Sequence, residues 1–213
     1  MQVKEIFFSL QGETRSIGLP TIFVRFSGCN LRCSYCDTQY AYGGGEEIEA
    51  QAICQRLQAW PCRRICLTGG EPLLQERTGL IQLLAFLNDY ELSIETNGSL
   101  PLAGIPLAPG HRWVMDLKCP GSGMEKAIYW ENLEVMRPRD EVKFVLTCKD
   151  DYLWARELIR QKQLTERMEI IMAPAYNVLE PSRLARWILR DGLEVRLQLQ
   201  LHKYIFGADA RGV

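Results

Sequence analysis

The chain reads as an α/β protein, a partial, open (β/α) barrel in one domain, and three observations carry that reading. Apolar β-rich runs alternate with amphipathic helical patterns, and repeated β–α units imply a mostly parallel sheet or barrel. At 213 residues the chain is short for eight such units, which take about 250 residues when closed. Polar segments marked by Gly or Pro recur at the C-terminal ends of the runs, the edge where parallel α/β folds bind ligands.

The elements follow in order. MQVKEIFFS adds an N-terminal strand over residues 1–9. TIFVRFS (21–27) is a strand that runs straight into a cysteine-rich loop. IEAQAICQRLQAW (48–60) has helical spacing, with Ile48, Ala52, Ile53, Leu57 and Trp60 on one stripe. RRICLTG (63–69) is a strand, LIQLLAFLND (80–89) a helix, and ELSIETNG (91–98) a strand. HRWVMDLK (111–118) and DEVKFVLTC (140–148) are further strands. DYLWARELIRQK (151–162) is a helix with Asp150 or Asp151 as its N-cap. MEIIMAP (168–174) is a strand, and SRLARWILRDG (182–192) is a helix that Gly192 ends. LEVRLQLQLH (193–202), alternating with period two, is the last strand. Pro and Gly accumulate around 99–111 and 119–125 and break the pattern. The core spans about 20–200, and 201–213 forms a C-terminal tail.

Composition excludes several classes. Hydrophobic residues make up 47% and charged residues 24%, which suits a globular protein with a full core. The net charge of −1 and the lack of a basic run give no electrostatic footprint for nucleic acid. No apolar stretch of about 20 residues predicts a membrane span. MQVKEIFFSLQGET turns polar too early for a secretory signal. The expected compartment is therefore the cytoplasm, whose reducing conditions make the eight cysteines thiols or metal ligands rather than disulfides.

Three of those cysteines crowd into GCNLRCSYCDT (28–38), as Cys29-x3-Cys33-x2-Cys36. Structural zinc would need a fourth Cys or His ligand. His111 and His202 are the only histidines, both distant in sequence, and Cys66 or Cys119 could serve only by folding back. A [4Fe–4S] cluster held by three cysteines keeps one iron without a protein ligand. Such an open position is a catalytic device, free to take a substrate or cofactor. Cys54, Cys62, Cys66, Cys119 and Cys148 read as small buried hydrophobes or incidental thiols. A second signal is Thr68-Gly69-Gly70-Glu71-Pro72, where glycines let the backbone approach a ligand and Glu71 offers negative charge to an ammonium group.

The cysteine spacing, with Tyr35 before the last cysteine, resembles the signature of the radical S-adenosylmethionine (SAM) enzymes. The Gly-Gly-Glu-Pro segment resembles their second motif, which holds the methionyl amino group of SAM. Further segments narrow the likeness: FSLQGET (8–14), FVRFSGCNLRC (23–33), YCDT (35–38), LTGGEPLLQ (67–75), IETNGS (94–99), DLKCP (116–120), EVKFV (141–145) and QLHKYIFGADARGV (200–213). Together they are similar, end to end, to the 7-carboxy-7-deazaguanine synthases, whose barrel is of the radical SAM type, shortened and modified.

That resemblance implies a radical ring contraction of 6-carboxy-5,6,7,8-tetrahydropterin to 7-carboxy-7-deazaguanine, with release of ammonia, in queuosine biosynthesis. It implies a [4Fe–4S] cluster on Cys29, Cys33 and Cys36, SAM, and Mg²⁺ on Thr38. From the residues alone, Asp37-Thr38 is equally a turn after the cluster loop. The resemblance places SAM on Gly70, Glu71, Lys118, Cys119, Pro120, Ala173, Pro174, Ala175 and Tyr176, with Ala173 replacing a glutamine common among relatives. It places the pterin on Leu10, Gln11, Gly12, Glu13, Arg25, Thr68, His202 and Val213. The Arg25 fork suits a planar carboxylate, and His202 is expected at the end of the last strand. A flavodoxin or ferredoxin reductant and a homodimer are family expectations. Two other classes remain readable in the cysteines: a glycyl-radical-activating enzyme, and an electron-transfer or structural metal protein without catalysis. The first needs a protein substrate, and the second has no use for a Gly-Gly-Glu-Pro strand end.

Overall fold

A computed structural model describes residues 1–213 as one nine-stranded sheet in the order β3-β1-β2-β4-β5-β6-β7-β8-β9. The strands are β1 (Gln2–Leu10), β2 (Pro20–Phe26), β3 (Glu46–Glu47), β4 (Arg64–Gly69), β5 (Glu91–Thr96), β6 (His111–Asp116), β7 (Glu141–Leu146), β8 (Glu169–Pro174) and β9 (Arg196–Leu197). From β2 through β9, leaving out β3, every neighbouring pair is parallel. Only β1 runs antiparallel, pairing β2 on one side and β3 on the other. The sheet does not close, because β3 and β9 end it unpaired. That is the open (β/α) arrangement the alternation predicts.

Residues alternate sides along each strand, and the alternation divides the chain into a core face and a site face. Ile22, Val24, Phe26, Ile65, Leu67, Ile94, Met115, Phe144 and Met172 turn outward to a cluster of 37 buried residues. They meet Ile53 and Leu57 of α1 (Ala50–Leu57), Leu80, Leu83 and Leu84 of α2 (Arg77–Phe86), Tyr152 and Ile159 of α4 (Lys149–Gln161) and Leu184 and Ile188 of α6 (Pro181–Asp191). Their neighbours Arg25, Thr68, Glu95, Asp116, Lys143 and Ala173 turn inward to a cavity. Two single-turn helices, α3 (Asn132–Val135) and α5 (Leu164–Arg167), fill connections.

Some boundaries differ from expectation for local reasons. The second helix starts at Arg77, not 80, because the Glu76 carboxylate accepts from the backbone N–H groups of Thr78 (2.8 Å) and Gly79 (2.6 Å). Cys148, rather than Asp150 or Asp151, precedes the first turn of α4. Asp151 is wholly buried and reaches back to accept from Thr147 N (2.8 Å), Thr147 Oγ1 (2.7 Å) and Gly121 N (2.7 Å). Gly192 does end α6, in the left-handed conformation at φ 55°. The largest correction is the last strand. Only Arg196–Leu197 pairs, and then the chain enters a short helix, α7 (Leu201–Phe206). Gln198 N still donates to Met172 O (3.0 Å), while its side chain turns in to Thr14, accepting from its N–H (2.6 Å) and donating to its carbonyl (2.8 Å), and the pairing goes no further. Leu199, the next residue of the apolar alternation, is left half exposed.

Candidate active site

The cavity lies at the C-terminal ends of the parallel strands and measures about 540 Å³. At one side is the cysteine loop, which the strand ends hold directly. Gly70 N donates to Phe26 O (3.0 Å) and Glu71 N to Gly28 O (2.7 Å). A Cβ on Gly70 would stand 1.8 Å from Gly28 O, so this glycine is required by the close approach of the two motifs themselves. The loop is also tied to the segment after β6, through Ser34 N to Ser122 O (3.1 Å) and Ser34 Oγ to Gly121 O (2.7 Å). Cys29, Cys33 and Cys36 all border the cavity. Leu31 N (3.5 Å) and Asn97 Nδ2 (3.8 Å) donate toward Cys29 Sγ. Burial raises the Cys33 thiol pKa, opposed by the nearby Lys118 ammonium. No three His, Cys, Asp or Glu side chains, these thiols included, are grouped as a single ion would need. A cubane takes each thiolate on a different iron, so this loop suits a cluster better than zinc.

Lys118 enters this wall beside the cysteines. Burial works against its charge, but Asp116, whose Oδ2 accepts from Nζ at 2.7 Å, and the nearby Cys33 raise its pKa. Asp116 Oδ1 and the Tyr35 hydroxyl are buried without any protein partner. A polar cofactor bound here would satisfy both. Ala173, Pro174, Ala175 and Tyr176, at the end of β8, line the same space.

Three expected SAM residues lie elsewhere. Glu71 is fully buried and does not border the cavity. Its carboxylate accepts from Thr96 Oγ1 (2.9 Å), Asn97 N (2.7 Å) and Leu73 N (3.0 Å). It therefore stitches β4 to β5 and caps the turn at Pro72, instead of meeting an ammonium group. Burial raises its pKa, and those donors oppose the rise. Cys119 continues the outward alternation of Leu117 into the core, while Pro120 is exposed beyond the cavity rim.

The remaining lining is a polar network. Arg25 lies between the rings of Phe7 and Tyr40, 5.7 and 5.8 Å from their centroids. Its Nε donates to Glu5 Oε1 at 2.7 Å, and the Tyr40 hydroxyl donates to the same oxygen at 2.7 Å. The two terminal nitrogens of the fork remain available to a ligand. Thr68 Oγ1 donates to Glu95 Oε2 (2.9 Å), and Gln11 Nε2 to Glu95 Oε1 (3.4 Å). Glu13 and Lys143 form a buried ion pair. Burial works against the Glu13 charge, but Lys143 outweighs it and leaves the pKa lowered. Thr38 donates its hydroxyl hydrogen to Asp37 Oδ1 (3.0 Å), which leaves its oxygen lone pairs for a cation.

His202 reaches the cavity from α7 and not from a strand end. Its ring lies so close over Gly12 that a Cβ there would come within 2.0 Å of Nδ1. Burial lowers its pKa, so the imidazole is neutral near pH 7. Leu10 and Gly12 border the cavity, as do Arg211, Gly212 and Val213 of the tail, where Arg211 covers the Tyr40 ring at 4.4 Å. Sequence reasoning missed Glu5, Asp37, Glu95, Asp116 and Lys143. Period-two alternation could have found three of them, because Glu95, Asp116 and Lys143 are the polar members of apolar strands.

Comparison with known proteins agrees with this geometry. Residues 23–108 match the Radical SAM superfamily. The chain is 40% identical to the 7-carboxy-7-deazaguanine synthase of Koribacter versatilis, over all of both chains. It is 42% identical to that of Chlorobaculum tepidum, over 100% of this chain and 97% of the other. The crystal structure of QueE from Escherichia coli shares the fold, with a TM-score of 0.74 at 23% identity over 94% of each chain.

Proposed function

The chain belongs to the 7-carboxy-7-deazaguanine synthases, within the radical SAM superfamily, and from that membership we propose what its own side chains do. The activity is the SAM-dependent radical ring contraction of 6-carboxy-5,6,7,8-tetrahydropterin to 7-carboxy-7-deazaguanine, with release of ammonia, in queuosine biosynthesis. The enzyme is a lyase that works with a [4Fe–4S] cluster and SAM. When bound, that pair supplies a 5′-deoxyadenosyl radical that abstracts hydrogen from the pterin.

Cys29, Cys33 and Cys36 would hold the cluster. Gly70, Lys118, Ala173, Pro174, Ala175 and Tyr176 would border SAM, with Asp116 Oδ1 supplying an acceptor that the protein leaves free. Arg25 would take the pterin carboxylate on its two terminal nitrogens while Glu5 keeps the fork turned inward. Gln11, Thr68 and Glu95 form one hydrogen-bonded set that can read the polar edge of the bicycle. His202, neutral and held over Gly12, offers an acceptor as well as a donor. Leu10 and Val213 add apolar wall, and the buried Glu13–Lys143 pair sets fixed charge beside them. Thr38 would hold Mg²⁺ together with waters and substrate oxygens, since the ion prefers six oxygens and one hydroxyl supplies only one.

The single observation that carries this reading is that one cavity brings the three thiols together with Arg25, Gln11, Thr68 and His202. We further propose a flavodoxin or ferredoxin as reductant, a homodimer, and the cytoplasm as the compartment. No helix is long and apolar enough to cross a membrane. Anaerobic turnover of 6-carboxytetrahydropterin with SAM and reductant, followed by product mass analysis, tests the assignment. Recovery of unchanged pterin from cluster-loaded protein would refute it.

A further inference from the structure

Helix α7 delivers His202 to the cavity, yet none of its six residues is buried. Tyr204 is 91% exposed, and Ile205 and Phe206 are exposed as well. Apolar packing therefore does not hold this helix in place. What holds it is a short set of polar ties. Leu201 N donates to Gly12 O at 3.0 Å, and the Gln198–Thr14 amide clamp anchors the segment just before it. The other two ties both end on one residue of the cysteine loop. Gln200 Nε2 donates to Asp37 Oδ2 at 3.0 Å, and Lys203 Nζ pairs with the same oxygen.

These two ties are unequal. The Lys203 side chain is only 6% exposed, whereas Asp37 is 46% exposed. Asp37 is the carboxylate paired with that ammonium group, whose other neighbour is the face of Tyr176 at 4.8 Å. A largely desolvated ammonium that loses its carboxylate must find water again. Lys203 regains water by turning away from the cysteine loop, which removes one of the few ties on α7.

We infer that Asp37 is a positioning residue that latches α7 to the cysteine loop through Lys203 and Gln200, and so holds His202 over Gly12 in the substrate site. The latch joins the loop that carries Cys29, Cys33 and Cys36 to a tail more than 160 residues away in sequence. It makes the substrate wall depend on an ordered cysteine loop. The inference rests on the reading of this cavity as the pterin site.

Two measurements on cluster-loaded protein test it. The first is amide hydrogen exchange. Asp37→Asn keeps one acceptor oxygen in place of two and removes the charge that Lys203 needs, so faster exchange is expected over 198–206 and not in α4 or α6. The second is binding and kinetics. Asp37→Asn and Lys203→Met should each weaken pterin binding about tenfold, between the small loss of an exposed pair and the larger loss of a buried one, because Lys203 is buried and Asp37 is half exposed, while iron content and SAM affinity stay unchanged. The double variant should be no weaker than either single one. Additive losses, unaltered exchange over 198–206, or an equal loss of SAM affinity would overturn the latch. If the unmodified protein fails to bind pterin, the functional reading fails, and the exchange measurement still decides whether the latch exists.

Discussion

Adding one methyl group at Gly12 tests the substrate wall directly. A Cβ there would stand 2.0 Å from His202 Nδ1, 2.8 Å from its Cγ and 3.1 Å from its Cβ. An unstrained contact needs roughly 3.5 Å, so the ring must retreat by about 1.5 Å. Gly12 itself is not in the left-handed region, so the substitution brings no backbone strain of its own. The whole effect must fall on His202 and on the hydrogen bond from Leu201 N to Gly12 O. Overpacking of this size costs about 1–3 kcal/mol, and an exposed helix yields toward the low end. Gly12→Ala should therefore weaken pterin binding about five- to thirtyfold, or about 1–2 kcal/mol. Iron content, SAM affinity and melting temperature should change little. Calorimetric titration of cluster-loaded protein with the pterin and SAM separately measures this. In a His202→Ala background the added methyl group meets only the remaining Cβ, so Gly12→Ala should then cost almost nothing. An equal loss in both backgrounds would refute the argument and make Gly12 a direct ligand contact.

Three further outcomes are expected. Replacing Cys29, Cys33 or Cys36 singly with Ala should abolish stable cluster binding, read as iron and sulfide content, whereas Cys66→Ser and Cys119→Ser should keep the iron and lower only the melting temperature, because both thiols are fully buried. Thr38→Ala should lower turnover and flatten its Mg²⁺ dependence, with Thr38→Ser keeping most of both; turnover by the unmodified enzyme that ignores Mg²⁺ would return Thr38 to a turn residue. Glu13→Gln should destabilise the fold by about 2–3 kcal/mol, since it strands a buried ammonium, and at this chain length that lowers the melting temperature by roughly 5–10 °C. The Glu13 pKa is lowered on folding, so its contribution is complete above its ordinary value of 4.5 and is lost as pH falls through the folded value. The stability gap between wild type and Glu13→Gln should accordingly close in acid, and a gap that stayed constant well below pH 4.5 would contradict the ion-pair account.

What the sequence disclosed and what it hid divide along a physical line. The parallel core was legible because its strands are short apolar runs and several, β4, β7 and β8 among them, are followed by a helix whose apolar stripe repeats with its own period. Ile22, Val24 and Phe26, and likewise Val142, Phe144 and Leu146, announce their strands without reference to anything distant. The cysteine loop was legible because one local spacing carries its chemistry. Glu71 shows where local reading stops. Its neighbours marked it as a ligand, but Thr96 and Asn97, some 25 residues on, occupy its carboxylate.

The last strand shows the same limit more sharply. Period-two alternation from Leu193 to Leu199 predicts a strand, yet pairing requires that each residue's backbone stay in the ladder. Gln198 N makes the last bond to β8, its side chain clasps Thr14, 184 residues earlier, and the backbone then turns away until Leu201 N donates to Gly12 O. That departure frees the chain to form α7, and only a helix beginning at Leu201 brings His202 over Gly12 and Lys203 to Asp37. The substrate wall is thus built from the two ends of the chain, where no local pattern can report a partner. Its parts, Gly12, Thr14, Asp37 and Gln198, carry no local periodic pattern that would name a partner. The core determines that a cavity exists at the strand ends, and these long-range polar ties determine which side chains close it.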